Sequence, residues 1–194
     1  MLDAKAGHRV PPNAATIGMW LFLAALTMLF SSTMLGYLFI RTTGSGSPQL
    51  HSLQLPKLLY LSTGLMLFGS VTIHQAVASV RRERQQLLRK YLVLTCVLAA
   101  LFVIVQTPAL VELMREHAAW RGRGLRLYGL IFVLILVHAL HVIGGIIGLA
   151  LTTAHAFQGR YDHERYAGVR HAAMYWHFLD VVWIVMYAGL ALAG

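Results

Sequence analysis

Cysteine and charge are both scarce in this sequence, and each scarcity removes a class of function. The 194 residues include one cysteine, Cys96, set inside an apolar run, which excludes an intrachain disulfide and any Cys-x-x-Cys metal site. Charged residues make up 12% of the chain, where an ordinary soluble domain carries about 25%. Ser-His-Asp arrangements, phosphate-cradling glycine loops and H-E-x-x-H motifs are missing too, and the Gly-Ser turn at 44–47 is too short for a P-loop. Nothing here performs chemistry unaided.

Apolar residues are plentiful, at 58% of the chain with a mean hydropathy of +0.65. Runs long enough to cross a hydrocarbon core, which takes about 20 helical residues, fall at 17–40, 56–79, 91–113, 127–154 and 172–193. The expected architecture is therefore all-α and integral to the membrane, with five transmembrane helices in one bundle (17–194). A polar N-terminal arm (1–16) precedes them, in which Pro11 and Pro12 favour extended backbone and Asn13 or Thr16 is placed to cap the first helix. The intervening segments are a Gly/Ser/Pro turn (42–49), a basic hinge (81–90), a mixed loop (114–126) and a longer polar loop (155–171).

The net charge of +9 would point to nucleic acid in a soluble protein. Here the basic residues lie between apolar runs, where lipid headgroups and the positive-inside bias place them, so no nucleic-acid partner is expected. Lys5, Arg9, Arg81, Arg82, Arg84, Arg89, Lys90, Arg160, Arg165 and Arg170 fall on the N-terminal side. Arg41, Lys57, Arg115, Arg121, Arg123 and Arg126 fall on the other. Ten against six puts the N-terminus in the cytoplasm and the C-terminus outside.

Ionisable groups inside spans carry the most information, because each is costly in hydrocarbon unless paired or facing a cavity. They are His74, His138, His141, His177 and Asp180, with Gln106 as a neutral companion; Glu112 sits at the edge of the third span. His177 and Asp180 are three residues apart and share a helix face. They form either a proton-linked or subunit-contact site, or an interhelical hydrogen bond that fixes packing, and packing is the expectation. Tyr175, Trp176 and Trp183 flank the pair, as interfacial anchors in the first instance or as the lining of a lipid groove. His138 and His141 also share a face, ahead of Gly144 and Gly145, which permit close helix approach. Two histidines at this spacing fall short of a metal site without further ligands. His74 and His177 lie at similar depths on different helices, as bis-histidine haem b would require, although each has a simpler use as a hydrogen-bonding core residue.

Three stretches together resemble one family, the third subunit of cytochrome c oxidase and its relatives. They are GMWLFLAALTMLF (18–30), HALHVIGG (138–145) and YWHFLDVVWI (175–184), with weaker echoes in LSTGLMLFGSVTIHQA and in FVIVQ ending at Gln106. The order holds from about residue 17 to the C-terminus and is similar to the five-helix bacterial forms. The resemblance implies a non-catalytic subunit in the bacterial inner membrane that binds no cofactor of its own. It would pack against the catalytic subunit I, which holds haem and copper, and against other oxidase subunits. Its helices would flank a lipid-filled V-shaped cleft occupied by structural phospholipid. His138, His141, Trp176, His177, Asp180, Trp183, Gln106, His74 and Arg170 are the candidates for that cleft or for packing.

Departures from the family pattern remove acidic groups. Leu26 stands where a glutamate is usual in the first of these spans, Ala109 where the glutamate of Q-x-x-E is common, and Arg170 where a glutamate often precedes Y-W-H; Ile135-Leu136 replaces Thr-Gly. Losing the membrane-depth carboxylate argues against direct proton handling by this chain. The alternatives are a subunit of a quinol oxidase or of nitric-oxide reductase in the same family, a haem b or quinone-binding anchor, and a small transporter, though the last lacks paired repeats.

Overall fold

In lipid every backbone amide must find its partner within the chain, so apolar runs of this length fold as helices. The computed structural model describes residues 14–43, 58–119, 125–162 and 166–193. Its elements are α1 (Ala14–Thr43), α2 (Leu58–Arg81), α3 (Gln85–Ala119), α4 (Leu125–Phe157) and α5 (Ala167–Ala193). Among the described residues, four helices are long and apolar enough to cross a membrane: α1, α2, α3 and α4.

The helices outrun the apolar spans, because hydropathy marks only the section that belongs in hydrocarbon. Most of the basic hinge at 81–90 is helical: the break between α2 and α3 is confined to residues 82–84. Thr16 lies inside α1, so it does not cap it; Asn13, the other capping candidate, lies outside the described residues. Hydroxyls within the helices are satisfied locally by carbonyls one turn back, as with Thr27 on Leu23, Ser79 on Gln75 and Thr152 on Gly148.

α2 and α3 form an antiparallel hairpin. α4 packs beside α3, and α5 closes the ring by touching both α4 and α2. α1 stands outside this four-helix ring and contacts only α4 and α5 among the described residues. Much of it faces outward, with Trp20, Leu21, Met28, Leu35 and Phe39 all exposed, as suits a helix solvated by lipid tails.

Two turns at one end of the bundle share a design. After α2, the Arg84 amide donates to the Ser79 carbonyl (3.0 Å) and the Glu83 amide to Val80 (3.1 Å). After α4, the Arg160 amide donates to His155 (3.1 Å) and the Gly159 amide to Ala156 (3.2 Å). Both are Schellman ends, which place one residue in the left-handed region. That residue is Gly159 (φ 69°) in one and Glu83 (φ 57°) in the other.

At this hinge end the packing is tight. Ile73, Ala76, Val80, Leu88, Leu92, Ala99 and Ala156 form one cluster with Trp176, every member nearly or fully buried. Arginines of the basic hinge staple the end together: Arg89 Nε donates to the Ala156 carbonyl (3.1 Å) and its guanidinium lies over Phe157, while Arg81 lies over Tyr166. Gln85 donates to the Tyr161 carbonyl (2.8 Å). These side chains serve packing as well as topology.

Candidate functional site

The polar residues at membrane depth gather in two places. The first lies between α2 and α5. α2 offers Ser70 and His74, one turn apart, and α5 offers His177 and Asp180. The Ser70 hydroxyl is hydrogen-bonded to His177 Nδ1, and the His74 and His177 rings lie 6.4 Å apart, tilted by 52°. His177 Nδ1 is 3.9 Å from Asp180 Oδ2, too far for a hydrogen bond. Asp180 is buried, and neither of its oxygens has a hydrogen-bond partner among the described residues, although Ser70 and His177 both face it. His74 is exposed and the His177 side chain is 41% exposed. The His177 ring is the nearest base to this carboxyl, and a bare carboxylate left unpaired at this depth would be the costly state.

The second place lies at the other end of the ring, where α3, α4 and α5 part slightly around a cavity of about 150 Å³. Gln106 and His138 line it, with Phe102, Val142 and Trp183. The His138 ring stacks on Trp183 (5.4 Å between centroids) and meets Phe30 edge-on. Trp183 Nε1 donates to Thr63 Oγ1 (3.1 Å).

The remaining candidates have separate uses. His141 turns back to the Val137 carbonyl through Nδ1 (2.7 Å), and its own carbonyl accepts from the Tyr175 hydroxyl (3.0 Å). Gly145 is what lets α5 come so close: a Cβ there would lie 3.0 Å from Leu179 Cδ1 and 3.1 Å from the Tyr175 ring. Trp176 and Trp183 are 2% and 5% exposed. Both rings pack against other helices, and Trp183 also lines the cavity. Arg170 Nη2 donates to Thr16 Oγ1 (2.6 Å), joining α5 to α1. Among the described residues no group of three or more His, Cys, Asp or Glu side chains converges as a metal centre would. Glu112 and Ala109 have side chains outside the described set.

Sequence reasoning missed Ser70, Thr63 and Phe30. Ser70 had a signal, since it lies four residues before His74 and so on the same helix face. Thr63 and Phe30 had none, because what selects them is a neighbour on another helix.

The sequence pattern of cytochrome c oxidase subunit III matches residues 12–192, which takes in all five helices. The chain belongs to the cytochrome c oxidase subunit III family. Its relatives include the quinol oxidase subunit 3 of Bacillus subtilis (strain 168), 28% identical over 92% of this chain and 86% of that protein. The cytochrome bo(3) ubiquinol oxidase subunit 3 of Buchnera aphidicola is 25% identical over 92% and 91%, and the cytochrome c oxidase subunit 3 of Synechocystis sp. is 29% identical over 93% and 76%. The resemblance read from three stretches of sequence is thus borne out along nearly the whole chain.

As a subunit III member, this chain gives its departures from the family pattern a physical place. Leu26, which stands where the resemblance implies a glutamate, is buried at 7% exposure, so an apolar side chain packs there. Arg170 has found one in Thr16. Ile135 lines the cavity beside His138.

Proposed function

We propose that the chain is the third, non-catalytic subunit of a bacterial respiratory haem-copper oxidase, anchored by five spans with the N-terminus in the cytoplasm and the C-terminus outside. Its work is to stabilise the oxygen-reducing, proton-pumping complex and to hold phospholipid beside it. Haem and copper belong to the partner catalytic subunit. The observation that carries this reading is the family match across residues 12–192.

Two features support it. The exposed His74 and half-exposed His177, with the buried Asp180 3.9 Å from the His177 ring, form a polar face at membrane depth; lipid would penalise it and a neighbouring subunit's helix would satisfy it. Beneath Arg89 and Lys90, a groove of about 390 Å³ is walled by Val93, Leu94, Val97 and Phe157. Basic heads above an apolar wall suit a phospholipid of the V-shaped cleft. With Leu26 in place of the carboxylate, proton uptake is left to other subunits.

The test is to purify the chain by an affinity tag from its own membranes in mild detergent. A co-purifying many-span haem protein, and a colourless chain after the subunits are separated, are expected. A Soret band that stays with the isolated chain and is lost in His74→Ala or His177→Ala would overturn the reading in favour of a haem-carrying anchor. The intact complex also reads out its electron donor, as turnover with reduced cytochrome c beside turnover with a quinol.

A further inference from the structure

One face of α2 is unpartnered and built to receive a helix. Gly64, Leu67, Val71, His74, Ala78 and Arg81 follow one another at alternating steps of three and four residues, the register at which one helix meets another in a membrane. Leu67, Val71, His74 and Arg81 are exposed, and a Cβ added at Gly64 would meet nothing within 4 Å. α5 packs against α2 and carries His177, Val181 and Ile184 on one of its own faces, with the His177 ring 6.4 Å from that of His74.

The two imidazoles sit deep on this face. At 1.5 Å per residue His74 is about 10 Å along α2 from Arg81, and His177 is about 15 Å from the start of α5. His74 has no hydrogen bond among the described residues, and His177 uses only Nδ1, toward Ser70. Both side chains are open to the outside, His74 exposed and His177 41% exposed, so a group from another chain can reach them. Ring nitrogens left unbonded in hydrocarbon are costly.

Charge and hydrogen bonding name what fits there. Two bases are matched by one carboxyl, Asp180, which is sealed beneath the surface, so the face is one acid short. Lipid tails offer no hydrogen bond, and a cationic side chain only donates and would join two bases. A carboxylate accepts from one N–H on each ring; a carboxylic acid donates to one ring and accepts from the other. A second copy of this chain does not supply the group: among the described residues the exposed carboxyls are Glu83 and Asp162, both in turns outside the helices.

We propose that a helix of another membrane subunit packs along this face of α2 and sets a carboxyl side chain between His74 and His177. The inference rests on the subunit reading above and names the chemistry of the contact. The carboxyl holds the partner in place and transfers no proton.

The experiment uses the tagged chain in its own membranes. Val71, one turn from His74 on the same face, is replaced by benzoylphenylalanine, the membranes are irradiated, and the cross-linked peptide is identified by mass spectrometry. The expected adduct is a spanning segment of another subunit with Asp or Glu within a turn of the attachment point. His74→Leu should lower retention of that subunit roughly tenfold, as the loss of a hydrogen bond to a charged group implies. The level of the chain itself should stay unchanged, because His74 is exposed. His74→Glu combined with replacement of the partner's acid by histidine should restore retention that each change alone removes. An adduct to lipid alone, to a second copy or to a segment without a carboxyl, or full retention in His74→Leu, would each overturn the proposal. Haem in the same purified material separates this contact from the subunit reading: haem with a lipid adduct sinks the contact alone, and an acid-bearing adduct without haem upholds the contact and sinks the reading.

Discussion

The two ends of the bundle are built on different terms. At the hinge end, α2, α3, α4 and α5 enclose Trp176 and its neighbours, arginines cap and cover the helix ends, and the turns are tied by paired amide bonds. Toward the other end, cavities of about 150 and 180 Å³ reach between the helices, and His138 and Gln106 keep buried polar atoms without partners among the described residues. Both ends draw on the same apolar composition, so composition is not the cause. In lipid, helices are held by close packing and by hydrogen bonds between them, not by exclusion of water. The hinge end meets the first condition by close packing and the second in part, since Trp176 Nε1 and Gln85 Oε1 there have no hydrogen-bond partner among the described residues; the far end meets the first less well.

Replacing a large side chain at each end tests the comparison most severely. Trp176→Ala should destabilise the chain by about 3–5 kcal/mol, the usual cost of removing a fully buried aromatic, read as a fall in the thermal midpoint in detergent. Trp183→Ala should cost clearly less, because its ring already borders a cavity. Equal losses would abolish the distinction between the ends.

Asp180 comes next. Asp180→Ala removes the carboxyl that faces the His177 ring, a loss of about 1–3 kcal/mol. Asp180→Asn keeps shape and some bonding and should cost less. Subunit retention and oxygen-reduction rate are measured side by side; full retention of the Asp180→Asn chain with most turnover lost would replace the packing role with a proton role.

A smaller effect separates adjacent glycines of α4. Gly145→Val meets Leu179 and Tyr175 at once and should cost about 1–2 kcal/mol through overpacking. Gly144→Val, whose Cβ would have only the Tyr175 hydroxyl at 3.9 Å, should be nearly silent. The smallest effect is in the turns. Gly159 holds the left-handed position after α4, so Gly159→Ala should destabilise the hinge end by about 1 kcal/mol, seen as a fall in the thermal midpoint.

Hydropathy located all five helices, since a run of twenty apolar residues has few other fates. It misjudged their ends because helices continue past the hydrocarbon, as Gln85–Lys90 does. Spacing within one helix put His177 and Asp180 on one face, and their side chains lie 3.9 Å apart. What connects different helices left no trace in spacing: Ser70 on His177, Thr63 on Trp183 and Thr16 on Arg170 each join residues more than a hundred positions apart. For the same reason the tryptophans of YWHFLDVVWI read as surface anchors, although the helices around them bury both.

The position of α1 bears on how the chain is made. α1 leaves the ribosome before the other four helices, yet its neighbours among the described residues, α4 and α5, follow α2 and α3. About eighty residues separate Thr43 from Leu125, which at ribosomal rates is a wait of roughly 4–16 s. During that interval α2 and α3 can close their hairpin across a short turn while α1 drifts alone in lipid, Thr16 still without Arg170. Of the five helices, the earliest made therefore docks only once the two latest have emerged.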